Sequence, residues 1–275
     1  MSDPFKIIEP TVISFSGGRT SAYMLWRVLQ SNGGGSPSDA IVCFANTGKE
    51  NEATLEFIND CSVNWHVPIT WLEYNKNNTN GFDIVNFNTA SRNGEPFARL
   101  IHDKNMLPNV FMRFCTQELK ITIIRKYLKT INFDVDDRSH LVGIRADEPR
   151  RIAKIGIDMC PLAKANITEN DVSNFWQNNT FDLKLPKVGL NVLSNCDLCF
   201  LKGDKTLSSI IQNEPKKAEW WIKMEEIQQQ KMIDSGKNGI ATFRRGSISY
   251  KKIMTFNKEQ TDMFSNESIS CFCGD

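Results

Sequence analysis

The chain has 275 residues, of which 40% are hydrophobic and 24% charged, a composition typical of one large soluble domain or one domain with an appendage. The formal net charge is only +1, so no overall field selects a nucleic acid or a membrane surface as partner. The sequence has no apolar run near the roughly 20 residues that span a bilayer, and its first residues lack the basic and apolar regions of a signal peptide, so we expect a cytoplasmic protein with no membrane partner.

Short apolar strands alternate with helical patterns along the chain. The predicted strands are Thr11–Phe15, Ala40–Asn46, Ile69–Tyr74 and His140–Ile144, and the predicted helices are Ser21–Gln30, Glu52–Ser62, Gln117–Leu128, one that Thr168 opens, and Pro215–Ile233. Strands and helices that alternate at these lengths predict an α/β fold with a doubly wound, mostly parallel, Rossmann-like sheet. We expect residues 1–160 to form the nucleotide-binding part of the α/β core. Residues 161–275 would then form the remainder of the core and a helical, cysteine-containing C-terminal part.

The first strand runs directly into a glycine-rich turn, Ser16-Gly17-Gly18-Arg19-Thr20-Ser21, and a helix follows at once. Such a turn exposes backbone N–H groups at a helix N-terminus, which attract an anion, usually a phosphate. Glycines let the backbone approach the anion, hydroxyl groups donate to it, and an arginine pairs with it. The alternative is a tight strand–helix turn with a solvated arginine.

Asn46, Thr47 and Gly48 follow the second strand, so they lie at the same edge of the sheet as the glycine-rich turn. Thr47 and Gly48 are candidates for contacts with a ribose or a phosphate, and a simple helix-entry turn is the alternative. Ligands bind at this edge, outside the carboxyl ends of the strands, in open α/β sheets.

Two basic residues are further candidates for an anionic ligand. Arg145 follows the strand His140–Ile144, where it could bind an anionic group or form an ion pair with Asp147 or Glu148. Lys120 lies on the helix that begins near Cys115, where it either faces a phosphate or sulfate group or is an ordinary surface lysine.

Four of the eight cysteines occur as two close pairs, Cys196 with Cys199 and Cys271 with Cys273. Closely spaced cysteines in a reducing compartment commonly hold a soft metal, and redox-active or structural thiols are the alternative. Zinc and an iron–sulfur cluster both accept four thiolates, so the spacing does not separate them.

Five stretches carry a resemblance to a known family. They are residues 14–21 (SFSGGRTS), 44–50 (FANTGKE), 113–120 (RFCTQELK), 143–148 (GIRADE) and 195–199 (NCDLC). The first resembles the pyrophosphate-binding loop, or PP-loop, of the adenine nucleotide alpha-hydrolase superfamily. Within that superfamily, the chain resembles the phosphoadenosine phosphosulfate (PAPS) reductase family, particularly its phage and bacterial uncharacterised branch.

The resemblance implies a set of site residues. For the nucleotide, ATP or PAPS, these are Ser14, Ser16, Gly17, Gly18, Arg19, Thr20, Ser21, Asn46, Thr47, Gly48 and Arg145, with Mg²⁺ as a further cofactor if the nucleotide is ATP. For a [4Fe-4S] cluster, with Zn²⁺ as the alternative, they are Cys115, Cys196 and Cys199 with Cys273, or Cys271 in its place, as the fourth ligand. For catalysis, they are Lys120, Arg145, Cys271 and Cys273, the last two as mobile nucleophiles at the end of the chain.

The chain departs from the family pattern in two ways. Thr116 stands where cluster-binding reductases have a second cysteine, and the last residues, SCFCGD, lack the histidine of the thioredoxin-dependent reductases. Three functions therefore stay open: reduction of a sulfonucleotide with electrons from a thiol or other donor, ATP-driven thiolation of a nucleic acid, and non-catalytic nucleotide binding. Association of the chain with a second copy also stays open.

The stretch 216–258 contains ten Lys or Arg and four Asp or Glu, together with Trp220 and Trp221. Basic residues mixed with aromatic ones can hold a nucleic acid through its phosphates and bases. The favoured interpretation is a solvated helix whose tryptophans pack inward.

Overall fold

A computed structural model of the chain describes residues 3–134, 139–185, 187–188, 191–192, 196–244 and 248–256. Its main sheet has the strand order β4-β3-β2-β1-β5. The strands are β1 (Thr11–Ser14), β2 (Ala40–Asn46), β3 (Ile69–Tyr74), β4 (Phe82–Val85) and β5 (His140–Val142). All neighbouring pairs are parallel except β3 and β4. The prediction of an α/β fold with a mostly parallel sheet is confirmed.

Eleven helices are described along the chain. They are α1 (Arg19–Ser31), α2 (Glu52–Asn64), α3 (Glu95–Lys104), α4 (Phe114–Thr116), α5 (Ile123–Thr130), α6 (Pro149–Ile155), α7 (Pro161–Lys164), α8 (Glu169–Gln177), α9 (Asp204–Asn213), α10 (Lys216–Asp234) and α11 (Tyr250–Phe256). A short hairpin of β6 (Lys187–Val188) and β7 (Asn191–Val192) precedes α9. None of the helices in the described ranges is both long and apolar enough to cross a membrane.

Apolar side chains cover both faces of the sheet, because successive residues of a strand point to opposite faces. Val12 and Cys43 belong to a cluster that also contains residues of α3, α5 and α9–α11. Ile13 and Val42 belong to a second cluster with residues of α1, α2 and α8. Each cluster combines residues from before and after position 160, where we expected a boundary.

The predicted helix Gln117–Leu128 is the middle of a longer helical segment, 114–130. Residues 117–122 form a single π-helical stretch between α4 and α5. Such wide turns are rare and occur often at functional sites. This segment covers the face of the sheet that carries Cys43 and Ala45.

Both tryptophans of the basic stretch pack inward, as the favoured interpretation predicted. Trp221 is fully buried between the rings of Phe243 and Tyr250, whose centroids lie 4.9 and 5.2 Å from its own. Trp220 packs against Phe97, at 5.2 Å. The aromatic rings therefore hold α10 onto α3 and α11.

Candidate anion and thiol site

A cavity of about 460 Å³ opens at the carboxyl ends of β1, β2 and β5. Ser14 at the end of β1 lies opposite both Cys43 of β2 and Val142 of β5, and all three line the cavity. The helical segment 114–130 and α6 form its other walls. It therefore lies where parallel α/β sheets bind their ligands.

Five cationic side chains line this cavity: Arg113, Lys120, Arg125, Arg151 and Lys154. His140 lines it as well, and none of its described lining residues is Asp or Glu. Cations grouped around a low-dielectric cavity attract anions strongly. The apolar part of the wall includes Phe15, Ile121 and Ile144, which suits a ligand with an aromatic or aliphatic portion.

The glycine-rich turn reaches the cavity through Ser16. The Ser16 amide and hydroxyl both contact the Ser21 hydroxyl, at 3.3 and 2.9 Å, and that hydroxyl donates to the Gly18 carbonyl at 2.9 Å. Ser21 thus closes the turn internally. Gly18 is the N-cap of α1, and no side chain caps the first turn of that helix. The backbone N–H groups of this first turn can therefore donate hydrogen bonds to a bound anion.

Gly17 and Gly143 are needed for close packing around this turn. Gly17 has φ +81°, and a Cβ atom on it would lie 2.6 Å from Cγ2 of Thr54 on α2. A Cβ on Gly143 would lie 2.8 Å from the Cα of Ser21. A side chain at either position would push the turn away from its neighbours, so substitutions there disturb the fold as well as any ligand.

Arg19 and Thr20 make protein contacts and do not line the cavity. Arg19 forms an ion pair with Asp182, with its Nε 2.7 Å from Oδ1. The Thr20 hydroxyl accepts a hydrogen bond from Nη1 of Arg145 at 3.2 Å. Both contacts fix the start of α1.

Arg145 lies among carboxylates. This arrangement agrees with the alternative given for it from the sequence, an ion pair with Asp147 or Glu148. Its Nε is 3.0 Å from Asp147 and 3.9 Å from Glu148, and its Nη2 is 3.7 Å from Glu169. The cations that line the cavity from this part of the chain are instead Arg151 and Lys154, six and nine residues further on.

The loop after β2 is also turned away from the cavity. The Asn46 side chain is completely buried, donates to Glu73 at 2.6 Å and accepts from the Gly48 amide at 3.1 Å. Gly48, with φ +74°, packs against the backbone of Gly94. The Thr47 amide and hydroxyl donate to the Glu50 carboxylate, at 3.0 and 2.9 Å. Asn46 and Gly48 therefore shape the loop, and neither residue lines the cavity.

Three of the four predicted metal ligands come together beside the cavity. Cys115, Cys196 and Cys199 line one small pocket of about 20 Å³, with Thr47 among the other lining residues. The Thr47 hydroxyl lies 3.6 Å from the Cys196 sulfur. Cys273, the fourth predicted ligand, and Cys271 lie outside the described residues.

Soft metals prefer thiolate donors, so this set of side chains fits a zinc ion or an iron–sulfur cluster in its chemistry. Among the described residues, however, no group of three or more His, Cys, Asp or Glu is arranged to hold a metal ion. Cys43 is a different case: it lies in the cavity wall, and burial raises the pKa of its thiol to about 12, which keeps it protonated.

A buried ion pair ties the cysteine segment to the sheet. Lys49 Nζ lies 2.9 Å from Asp197 Oδ2, and both side chains are nearly inaccessible to solvent. The backbone joins the same two residues, because the Asp197 amide donates to the Lys49 carbonyl at 2.8 Å. Trp221 also donates to Asp197, at 2.9 Å. Cys196 and Cys199 are thereby held next to the loop after β2.

The cavity and the thiol pocket share one wall. Arg113, Thr116 and Lys120, all on or beside the segment 114–130, line both. Lys120, predicted as an anion ligand, therefore lies between the two. Four of the cavity cations were not predicted from the sequence: Arg113, Arg125, Arg151 and Lys154. Their one local signal is that they lie within or close to the motifs 113–120 and 143–148.

No known family model matches the chain. The chain is 32% identical over 212 residues to the uncharacterized nin region protein ORF290 of Escherichia phage lambda. The match covers 74% of this chain and 70% of the phage protein.

Proposed function

The chain belongs to the family of the phage lambda nin region protein ORF290, and we propose that it is a PAPS-reductase-like enzyme. In this proposal the cavity binds an adenylyl nucleotide, and the enzyme carries out reductive sulfur chemistry on a sulfonucleotide. The sheet would be doubly wound and adenine nucleotide alpha-hydrolase-like, with helices against each face. Apolar clusters on both faces support that topology.

The observation that carries the proposal is the shared wall between a basic cavity and a thiol pocket. The cavity volume, about 460 Å³, lies within the roughly 300–1,000 Å³ typical of small-molecule sites. Its cations would bind the anionic end of a nucleotide and stabilise the negative charge that develops on a leaving phosphate. The thiols beyond Lys120, those of Cys115, Cys196 and Cys199, would place a metal centre next to that charge.

The proposed reaction needs two thiols. A thiolate attacks the sulfur of the sulfonucleotide, so the sulfur–oxygen bond breaks and the nucleotide leaves as a phosphate. A second thiol then displaces sulfite from the S-sulfonated cysteine, and the two sulfurs become a disulfide that an external thiol must reduce. Cys271 and Cys273 are the proposed nucleophiles in protein whose Cys273 is not bound to a metal; where Cys273 is a metal ligand, an external thiol takes the place of the second nucleophile. Lys120 would stabilise the leaving phosphate.

A metal centre is a separate part of the proposal. Cys115, Cys196 and Cys199, with Cys273, would hold a [4Fe-4S] cluster or Zn²⁺. When bound, the centre would keep these sulfurs as thiolates. Lys49 and Asp197 would hold the segment that carries Cys196 and Cys199 next to the loop after β2.

A second candidate function is ATP-driven thiolation of a nucleic acid. It is favoured by exposed apolar side chains beside the cavity: Phe111 is 74% exposed and Met112 is 48% exposed, and both directly precede Arg113. An exposed aromatic ring next to cations can stack on a base.

Product analysis distinguishes these functions. We expect anaerobically purified protein to release sulfite and adenosine 3′,5′-bisphosphate from PAPS when dithiothreitol is present. Release of AMP and pyrophosphate from ATP, dependent on added tRNA or DNA, would favour thiolation instead. If both nucleotides bind and neither is turned over with a reductant present, the chain is a binding module and the enzyme proposal fails.

Metal analysis tests the thiol centre by itself. We expect anaerobic protein to be brown and to contain iron, and we expect C199S to lose that iron. C160S is the matched control, because Cys160 is buried away from the pocket and donates to the Gly156 carbonyl at 3.2 Å. Stoichiometric zinc in colourless protein would support the alternative metal. Protein with neither metal, or equal loss in both variants, would contradict the centre.

A further inference from the structure

Arg151 has a guanidinium nitrogen that finds no acceptor among the residues that the structure describes. The residue is only 8% exposed and lies in the cavity wall. Its Nη1 pairs with Oε1 of Glu148 at 2.5 Å, but its Nε is buried and has no hydrogen-bond partner in the described part of the chain. A buried donor without an acceptor is rare and destabilises the folded protein, so such a group calls for an explanation.

The surroundings of Arg151 identify the missing acceptor as an anion. Lys154, one helical turn further along α6, lines the same cavity. Glu148 is already shared, because its other carboxylate oxygen accepts from the Arg145 amide at 2.9 Å. An arginine and a lysine facing the same space bind a phosphate or sulfate group through charge-assisted hydrogen bonds.

We propose that Arg151 and Lys154 form an oxyanion subsite on the α6 wall of the cavity, separate from the glycine-rich turn after β1. The turn binds one anionic group through backbone N–H groups, and α6 binds another through side chains. The second group is a phosphate or sulfate, either attached to the same nucleotide or present as a free ion. The identity of the ligand rests on the proposed function, whereas the subsite itself rests on Arg151.

Calorimetric titration of the full chain with three probes tests the subsite. The probes are AMP, adenosine 3′,5′-bisphosphate, and inorganic phosphate. If the second group is attached to the nucleotide, the bisphosphate binds about tenfold more tightly than AMP, the effect of one charge-assisted hydrogen bond. If it is a free ion, phosphate binds to the AMP-saturated protein instead.

Substitutions connect either result to Arg151. We expect R151M to remove the advantage of the bisphosphate, or the binding of phosphate, while AMP affinity changes less than threefold. R150M is the matched control, because Arg150 is the exposed neighbour and lies outside the cavity wall. K154M is a second variant, at an exposed position where a substitution does not threaten folding. It should weaken the binding of the same probes as R151M does.

The outcomes separate this subsite from the proposed function. R151M and K154M that bind all three probes like the wild type would overturn the subsite and leave the proposed function intact. Wild-type protein that binds phosphate but no nucleotide would keep the subsite and overturn the proposed function. Wild-type protein that binds none of the probes would overturn both.

Discussion

Replacing Lys49 with methionine is expected to lower the free energy of unfolding by about 3–5 kcal/mol, the cost of leaving a buried charge without its partner. Lys49 Nζ is 2.9 Å from Asp197 Oδ2, and it also lies 5.2 Å from the ring centre of Trp220. Methionine preserves the length of the side chain but leaves the Asp197 carboxylate without a cation. Urea unfolding followed by circular dichroism measures the loss.

Two further variants define the origin of that loss. K104M removes a partly exposed pair, in which Lys104 Nζ lies 2.6 Å from Glu118, and should cost only about 0–1 kcal/mol. The double variant K49M/D197N removes the unpaired charge and should recover part of the stability. A loss in K49M no larger than in K104M would show that Asp197 is not held as a buried charge.

The same variant should loosen the cysteine segment. Asp197 lies between Cys196 and Leu198 and is anchored to Lys49 by both backbone and side chain. We expect iodoacetamide to label Cys196 and Cys199 faster in K49M than in the wild type under native conditions. Cys61, fully buried in the other apolar cluster, serves as the internal reference.

The parallel strands could be predicted from the sequence because their signal is local. β2 and β3 begin and end where the apolar runs do, and β1 ends one residue earlier than predicted. Neither β4 nor α3 was predicted from the sequence. The four residues of β4 pair only at the sheet edge. α3 does carry a helical signal, because Phe97, Leu100 and Ile101 are spaced as one face of a helix, and that signal was not used.

The roles of charged residues were harder to predict, because a charge is defined by its neighbours in space. Arg19 and Arg145 stand in the expected motifs, yet both pair with carboxylates, and the partner of Arg19 is 163 positions away. Arg151 faces the cavity although no motif selected it. The approach of Cys115 to Cys196 and Cys199 was expected from the family resemblance, which carries long-range information that spacing alone lacks.

The role of Asn46 also depends on its neighbours in space, and this dependence can be tested. At the end of a parallel strand, an asparagine is a reasonable ligand for a ribose, and we predicted it as a nucleotide contact. Its amide instead donates to Glu73 of β3 at 2.6 Å and to the Ser91 carbonyl at 2.8 Å. The Glu73 carboxylate also accepts from the amide and the hydroxyl of Ser91, each at 2.6 Å.

We therefore expect N46D to be destabilised by about 3–5 kcal/mol, because an uncompensated carboxylate would be buried against the Glu73 carboxylate. Nucleotide affinity of the folded protein should change less than threefold, since the Asn46 side chain does not line the cavity. Urea unfolding and calorimetric titration with ATP and PAPS provide the two measurements. The double variant N46D/E73Q puts the amide donor on residue 73 and the carboxylate acceptor on residue 46. It should recover part of the stability, with a coupling energy between the two substitutions of about 0.5–3 kcal/mol. An N46D protein that keeps its stability but loses nucleotide binding would contradict this account, and would return Asn46 to the ligand role that its position at the strand end suggested.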